Sequence, residues 1–79
     1  MSPTLSLADL RPGDSGIISR LKVDEALYQR LSAMGLRIGR PIHVIRQAAL
    51  SGPIQVRVGF SDLILRRIDA LNICVSRTA

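Results

Sequence analysis

The run Ile54-Gln55-Val56-Arg57-Val58, fenced by Gly52-Pro53 on one side and Gly59 on the other, constrains this chain most tightly. Apolar and polar residues alternate strictly in it, which puts three β-branched side chains on one face of a strand and two polar ones on the other. The same period recurs in shorter form. Ile42 and Val44 alternate with His43 and Ile45, Leu63 and Leu65 alternate with Ile64 and Arg66, and Ile73 and Val75 flank Cys74. An earlier strand reads over Gly16–Val23, where Ile17, Leu21 and Val23 share a parity that Ile18 breaks. Such a break marks a bulge or a second buried face. Short strands parted by tight turns favour a small barrel, because closing the sheet hides its edges.

One helix interrupts the pattern between the first two of these strands. Asp24 is an N-cap residue, and Glu25 faces the positive end of the helix dipole. Leu27, Leu31 and Met34 follow at i, i+4 and i+7, a single apolar stripe. Gly35 suits the left-handed position after the helix, with Leu36 as the apolar contact that seals it. Two single helical turns complete the reading, one over Ser6–Leu10, stopped by Pro12-Gly13, and one over Ile68–Leu71 before the last strand. The expected architecture is mainly β: a barrel of about five strands with one main helix between strands one and two. Its inward positions are Leu21, Leu31, Ile42, Val44, Ile54, Val56, Leu65, Ile73 and Val75.

With 79 residues and no linker or repeat, the chain reads as one domain over 1–79. No stretch approaches the ~20 apolar residues of a membrane-spanning helix. The opening Met-Ser-Pro-Thr lacks the basic and apolar parts of a secretory signal. Cys74 is the sole cysteine, which excludes an internal disulfide and a cysteine cage for zinc. A cytoplasmic protein is the expectation. Hydrophobic residues make up 47% of so small a chain, so some apolar surface stays outside, where a partner can meet it.

The chemistry is equally bounded. His43 and Cys74 are isolated, and the carboxylates Asp9, Asp14, Asp24, Glu25, Asp62 and Asp69 are scattered, so no spacing for a metal site appears. No cofactor is implied. The lone histidine has no nucleophile motif around it, and no phosphate-cradling GxxxxGK[ST] loop exists. The chain does not read as an enzyme.

The charge balance, +5 with histidine neutral, raises nucleic acid as a partner. Small barrels that bind single strands stack bases on aromatic side chains, and only Tyr28 and Phe60 are on offer. The ten arginines are also spread along the chain without a dense run. The plain reading of the arginines is solvated strand edges that discourage pairing with other chains. Steering toward an acidic partner surface or the anionic inner leaflet is a middle reading, and nucleic-acid binding is the alternative. Tyr28 beside the helical stripe, Leu50 in a loop and Phe60 after a turn glycine are the candidate apolar contacts, and Leu27 joins them from the stripe itself. Phe60 suits an exposed contact or an inward one.

In its order of motifs the chain resembles the ferrous iron transport protein A (FeoA) family of small SH3-like barrels. The resemblance is carried by Leu7-x-x-Leu10-x-x-Gly13, Gly16-x-Ile18-x-x-Leu21, and Arg30-Leu31-x-x-Met34-Gly35-Leu36-x-x-Gly39. It continues through Ile42-x-Val44, Gly52-Pro53-Ile54-x-Val56 and Leu63-x-Leu65-Arg66-Arg67-x-Asp69-Ala70-x-x-Ile73-x-Val75, spanning about residues 5 to 75. Ile38 and Ala49 depart from it, standing where the family often has proline. The same barrel ends some iron-dependent repressors, but 79 residues leave no room for their helix-turn-helix domain. The resemblance implies a cytoplasmic, non-catalytic accessory protein of bacterial ferrous iron uptake. It would dock on the cytoplasmic, GTP-binding part of the ferrous iron permease (FeoB) and touch the membrane only through it. A weak homo-oligomer is compatible with this.

Overall fold

The computed structural model describes residues 5–77, so the opening Met-Ser-Pro-Thr lies outside the described residues. The strands are β1 (Leu5–Ser6), β2 (Ser15–Leu21), β3 (Pro41–Gln47), β4 (Ile54–Val58), β5 (Ser61–Leu65) and β6 (Ile73–Arg77). Helix α1 (Glu25–Ala33) joins β2 to β3, α2 (Arg67–Leu71) joins β5 to β6, and a 3-10 turn over Leu7–Asp9 follows β1. All six strands form one antiparallel sheet in the order β1-β6-β2-β3-β4-β5.

The pairing is heavily staggered. Strand β2 meets β3 through Ser15–Ile17 but meets β6 through Gly16–Leu21, so its two neighbours are offset along it. A stagger of this kind coils a sheet into a small barrel. The inward faces then share one core containing Leu10, Ile18, Leu31, Leu36, Ile42, Val44, Ile54, Val56, Ile73 and Val75.

Strand β4 follows its alternation, with Ile54, Val56 and Val58 buried. The fold adds a sixth strand to the five expected, the two-residue β1, which exists only by pairing Leu5 with Val75 and Ser6 with Cys74. In β2 the fully buried residue is Ile18, whereas Leu21, expected inward, is only half-buried. The cause is the register shift between Ile18 and Arg20, a bulge that re-aims the side chains beyond it.

Helix α1 is set by its ends. Asp24 Oδ1 accepts from the Leu27 N–H at 2.8 Å. At the far end Gly35 adopts φ +92°, its N–H donates to the Ser32 carbonyl at 3.0 Å, and the Leu36 N–H donates to the Leu31 carbonyl at 2.9 Å. This paired closure is a Schellman motif, with Leu31 and Leu36 buried together as its apolar seal. Of the expected stripe only Leu31 is fully buried. Leu27 packs partly against the core and Met34 is exposed. The helix covers the barrel along one narrow line, which leaves the flanks of the stripe in water.

The remaining links are polar. The Gln47 side chain donates to the Leu10 carbonyl, and Arg67 Nη2 donates to the Ala8 carbonyl at 3.4 Å. Both fasten the 3-10 turn, which also packs against α2, to the barrel.

Candidate partner-docking surface

Phe60 stands at the tip of the β4–β5 hairpin. Val58 pairs with Ser61, so Gly59 and Phe60 form a two-residue turn, and Gly59 at φ +60° supplies the first-position glycine of the II′ type. The turn projects off the end of the sheet, and the Phe60 side chain is fully exposed.

Leu50 occupies the β3–β4 loop, closed by the Ala48 N–H on the Pro53 carbonyl at 2.9 Å. It is 100% exposed, and its backbone lies at φ +59° with Ser51 at +61°. Two successive non-glycine residues in the left-handed region store strain, a feature that clusters at functional sites.

Tyr28, on α1, is 40% exposed, and the neighbouring Leu27 is half-buried against the core. These candidates are not gathered into one patch. Leu50 follows the end of β3, while Phe60 follows the end of β4, and the antiparallel pairing puts those two points at opposite ends of the sheet. Tyr28 sits on a third element.

Further exposed apolar side chains are Ile64 on β5, and Ile68 and Leu71 on α2. Ile64 had a readable signal, since it alternates with the inward Leu63 and Leu65. It lines a cleft of about 270 Å³ with Arg46 and Gln55, its neighbours across the outer face. Ile68 and Leu71 lie three residues apart on a five-residue helix, too short for periodicity to show which side is wet.

A polar row crosses the outer face. Ser15, His43, Arg57 and Asp62 are successive partners on β2, β3, β4 and β5. Ser15 Oγ and His43 Nδ1 are 2.6 Å apart. Arg57 donates through Nε to Asp62 Oδ1 at 2.7 Å and through Nη2 to Oδ2 at 3.1 Å. These bonds hold the Asp62 carboxyl below the usual carboxylate range and raise the guanidinium further. Arg40, Pro41, His43 and Arg57 line a cleft of about 460 Å³ beside this row.

Among the described residues three arginines are ion-paired: Arg57 with Asp62, Arg66 with Asp69 and Arg77 with Asp14. Most of the positive charge thus has no ion-pair partner among the described residues. No group of three or more His, Cys, Asp or Glu side chains comes together as metal ligands among the described residues, and Cys74 is buried. Among the same residues no helix is long and apolar enough to cross a membrane.

Comparison with known proteins places this geometry. The FeoA protein from Chlorobium tepidum, in its solution NMR structure, is 32% identical with a TM-score of 0.90, and the match covers 95% of this chain and 71% of that one. The crystal structure of an iron uptake regulatory protein (FeoA) is 28% identical with a TM-score of 0.83, over 96% of this chain and 99% of that one. A manganese-dependent transcriptional repressor shares the fold at 22% identity and a TM-score of 0.87, over 99% of this chain and 44% of the repressor. No curated protein matches the chain. The FeoA domain model matches residues 5–77, the whole described barrel, and the chain belongs to the FeoA domain family.

Proposed function

We propose that this protein is a small cytoplasmic accessory factor of bacterial ferrous iron uptake, docking on the cytoplasmic part of the ferrous iron permease to support or regulate transport. Family membership and the names of its structural relatives, an iron uptake regulatory protein and an iron(II) transport protein A, support the iron association. The docking reading rests on one observation above all. Phe60, the only phenylalanine of the chain, is spent on a hairpin tip where its ring is fully solvated. An aromatic ring on a rigid turn is a ready anchor for a pocket on a partner. Leu50, fully exposed in a strained loop, and Tyr28 and Leu27 on α1 are secondary contacts on other elements.

The role is non-catalytic. In the polar row on the outer face Arg57 is paired with Asp62, and the chain's one histidine is bonded to Ser15. Nucleic-acid binding by base stacking is disfavoured by the placement of Tyr28 and Phe60 on different elements, which form no continuous platform.

Co-purification of the permease with the wild-type chain and with Phe60→Asp, followed by cross-linking from the hairpin, tests the reading. Retention by the wild type and loss in Phe60→Asp is the expected result. Equal retention of both overturns the hairpin as the anchor, and retention of neither overturns the docking.

A further inference from the structure

We propose that the cleft between β2, β3 and β4 is an anion site that takes the phosphate group of a small phosphorylated molecule. It shares no residue with the docking contacts proposed above and stands independently of them. Arg40, His43 and Arg57 bring three basic groups to its wall from two strands and the residue preceding β3, with the Ser15 hydroxyl beside them. The register sets Ser15, His43 and Arg57 in one row across the sheet, and Arg40, just before β3, joins them at the wall of the cleft.

Each basic group keeps donor capacity for a ligand. Arg57 spends Nε and Nη2 on Asp62, which fixes the plane of the guanidinium while Nη1 remains for a second acceptor. His43 is held through Nδ1 by Ser15 at 2.6 Å. When Nδ1 accepts a hydrogen bond from the Ser15 hydroxyl, the neutral ring carries its hydrogen on Nε2, which is then a donor. The Arg40 side chain is in none of the ion pairs among the described residues, so its charge is uncompensated.

The number and type of donors favour phosphate over carboxylate. A carboxylate offers two oxygens in one plane and is satisfied by a single guanidinium fork. Two guanidinium groups and an imidazole on different segments match an oxyanion whose oxygens point in several directions. The volume of about 460 Å³ exceeds what a bare ion fills and lies within the range of small-molecule pockets. Pro41 offers apolar surface for the rest of the ligand, and Gly59 leaves the rim open, since a Cβ built there would meet nothing within 4 Å.

The test is a nuclear magnetic resonance titration of the isotopically labelled full chain at fixed ionic strength. The probes are phenyl phosphate, inorganic phosphate, benzoate and a short single-stranded DNA. Saturable shifts at the Arg57 Nε–H, the His43 ring and the Gly59 amide are expected with both phosphates, and weaker binding with benzoate. Arg40→Gln should weaken phenyl phosphate about tenfold, the effect of losing one charge-assisted hydrogen bond. Arg20→Gln removes the same charge toward the other end of β2 and should leave the affinity unchanged. Shifts that rise linearly, benzoate binding as tightly as phosphate, or equal weakening by the two substitutions overturn the proposal. So does a DNA strand that binds while the small phosphates do not, which assigns the charge to a nucleic-acid backbone instead.

Discussion

Arg57 and Asp62 face each other across the β4–β5 hairpin and join by two hydrogen bonds, Nε to Oδ1 at 2.7 Å and Nη2 to Oδ2 at 3.1 Å. The pair sits one residue inside the turn that carries Phe60, so it holds the base of that hairpin in register.

Its pH dependence follows from the lowered Asp62 pKa, caused chiefly by the hydrogen bond from Arg57. A carboxyl depressed in the folded state adds stability above its unfolded pKa and loses it as pH falls through the folded value. Asp62→Asn should therefore lower stability slightly at neutral pH, where the wild-type carboxylate is ionised and paired. It should converge with the wild type at strongly acid pH, which flattens the acid limb of the stability curve. Both groups are solvent-exposed, so the effect is small. Urea unfolding of both proteins at neutral and strongly acid pH measures it, and parallel acid limbs would remove the pair from the account.

How far the fold could be read in advance depended on how local its causes are. The α1 caps were legible because Asp24, Gly35 and Leu36 act within one helical turn of where they stand. The buried face of β4 was legible because alternation alone specifies it. Strand β1 was not, since two residues become a strand only by meeting Val75 and Cys74 at the far end of the chain. The row Ser15-His43-Arg57-Asp62 stayed hidden for the same reason: register between distant strands creates it. Exposure of Phe60 depended on the hairpin closing with two residues, whereas the separation of Phe60 from Leu50 needed the full topology.

Closure of α1 gives a second prediction. Gly35 sits at φ +92° with nothing within 4 Å of a Cβ placed there, so the penalty for a side chain is conformational and not steric crowding by neighbours. Gly35→Ala should cost about 1 kcal/mol, and Gly35→Asn less, because asparagine tolerates the left-handed region. Thermal unfolding of the two variants ranks them, and an equal loss in both would show that the backbone conformation is not the cause.

Core truncation tests the barrel itself. Leu65 on β5 and Val56 on β4 are both buried in the shared core. Truncation of either to alanine should cost roughly 2–4 kcal/mol, the lost burial plus the cavity left behind. Denaturant midpoints report the loss, and a change below about 1 kcal/mol at both positions contradicts a close-packed interior.

Leu50 separates stability from binding. Its side chain contributes no burial, while its backbone at φ +59° is one that a branched residue resists. Leu50→Gly relieves that strain at the cost of a more flexible unfolded chain, so stability should rise by up to about 1 kcal/mol. Capture of the permease should weaken in the same variant. A loss of both stability and capture would mean that the loop depends on the leucine for its shape.

The kinetics of docking distinguish anchor from steering. Seven of the ten arginines make no ion pair among the described residues, so long-range attraction to an acidic partner survives on the surface. Such charges accelerate encounter and set orientation more than they add affinity. An apolar anchor works through the opposite rate, since losing a filled pocket shortens the life of the complex. Raising salt should therefore slow association of the wild-type chain with the permease and leave dissociation nearly constant. Phe60→Asp should speed dissociation, and Tyr28→Ala should do so to a smaller degree, because its ring is already partly covered on α1. Surface plasmon resonance on the immobilised permease at two salt concentrations reads both rates. If salt acts on dissociation while Phe60→Asp leaves dissociation untouched, the arginines carry the contact and the hairpin does not.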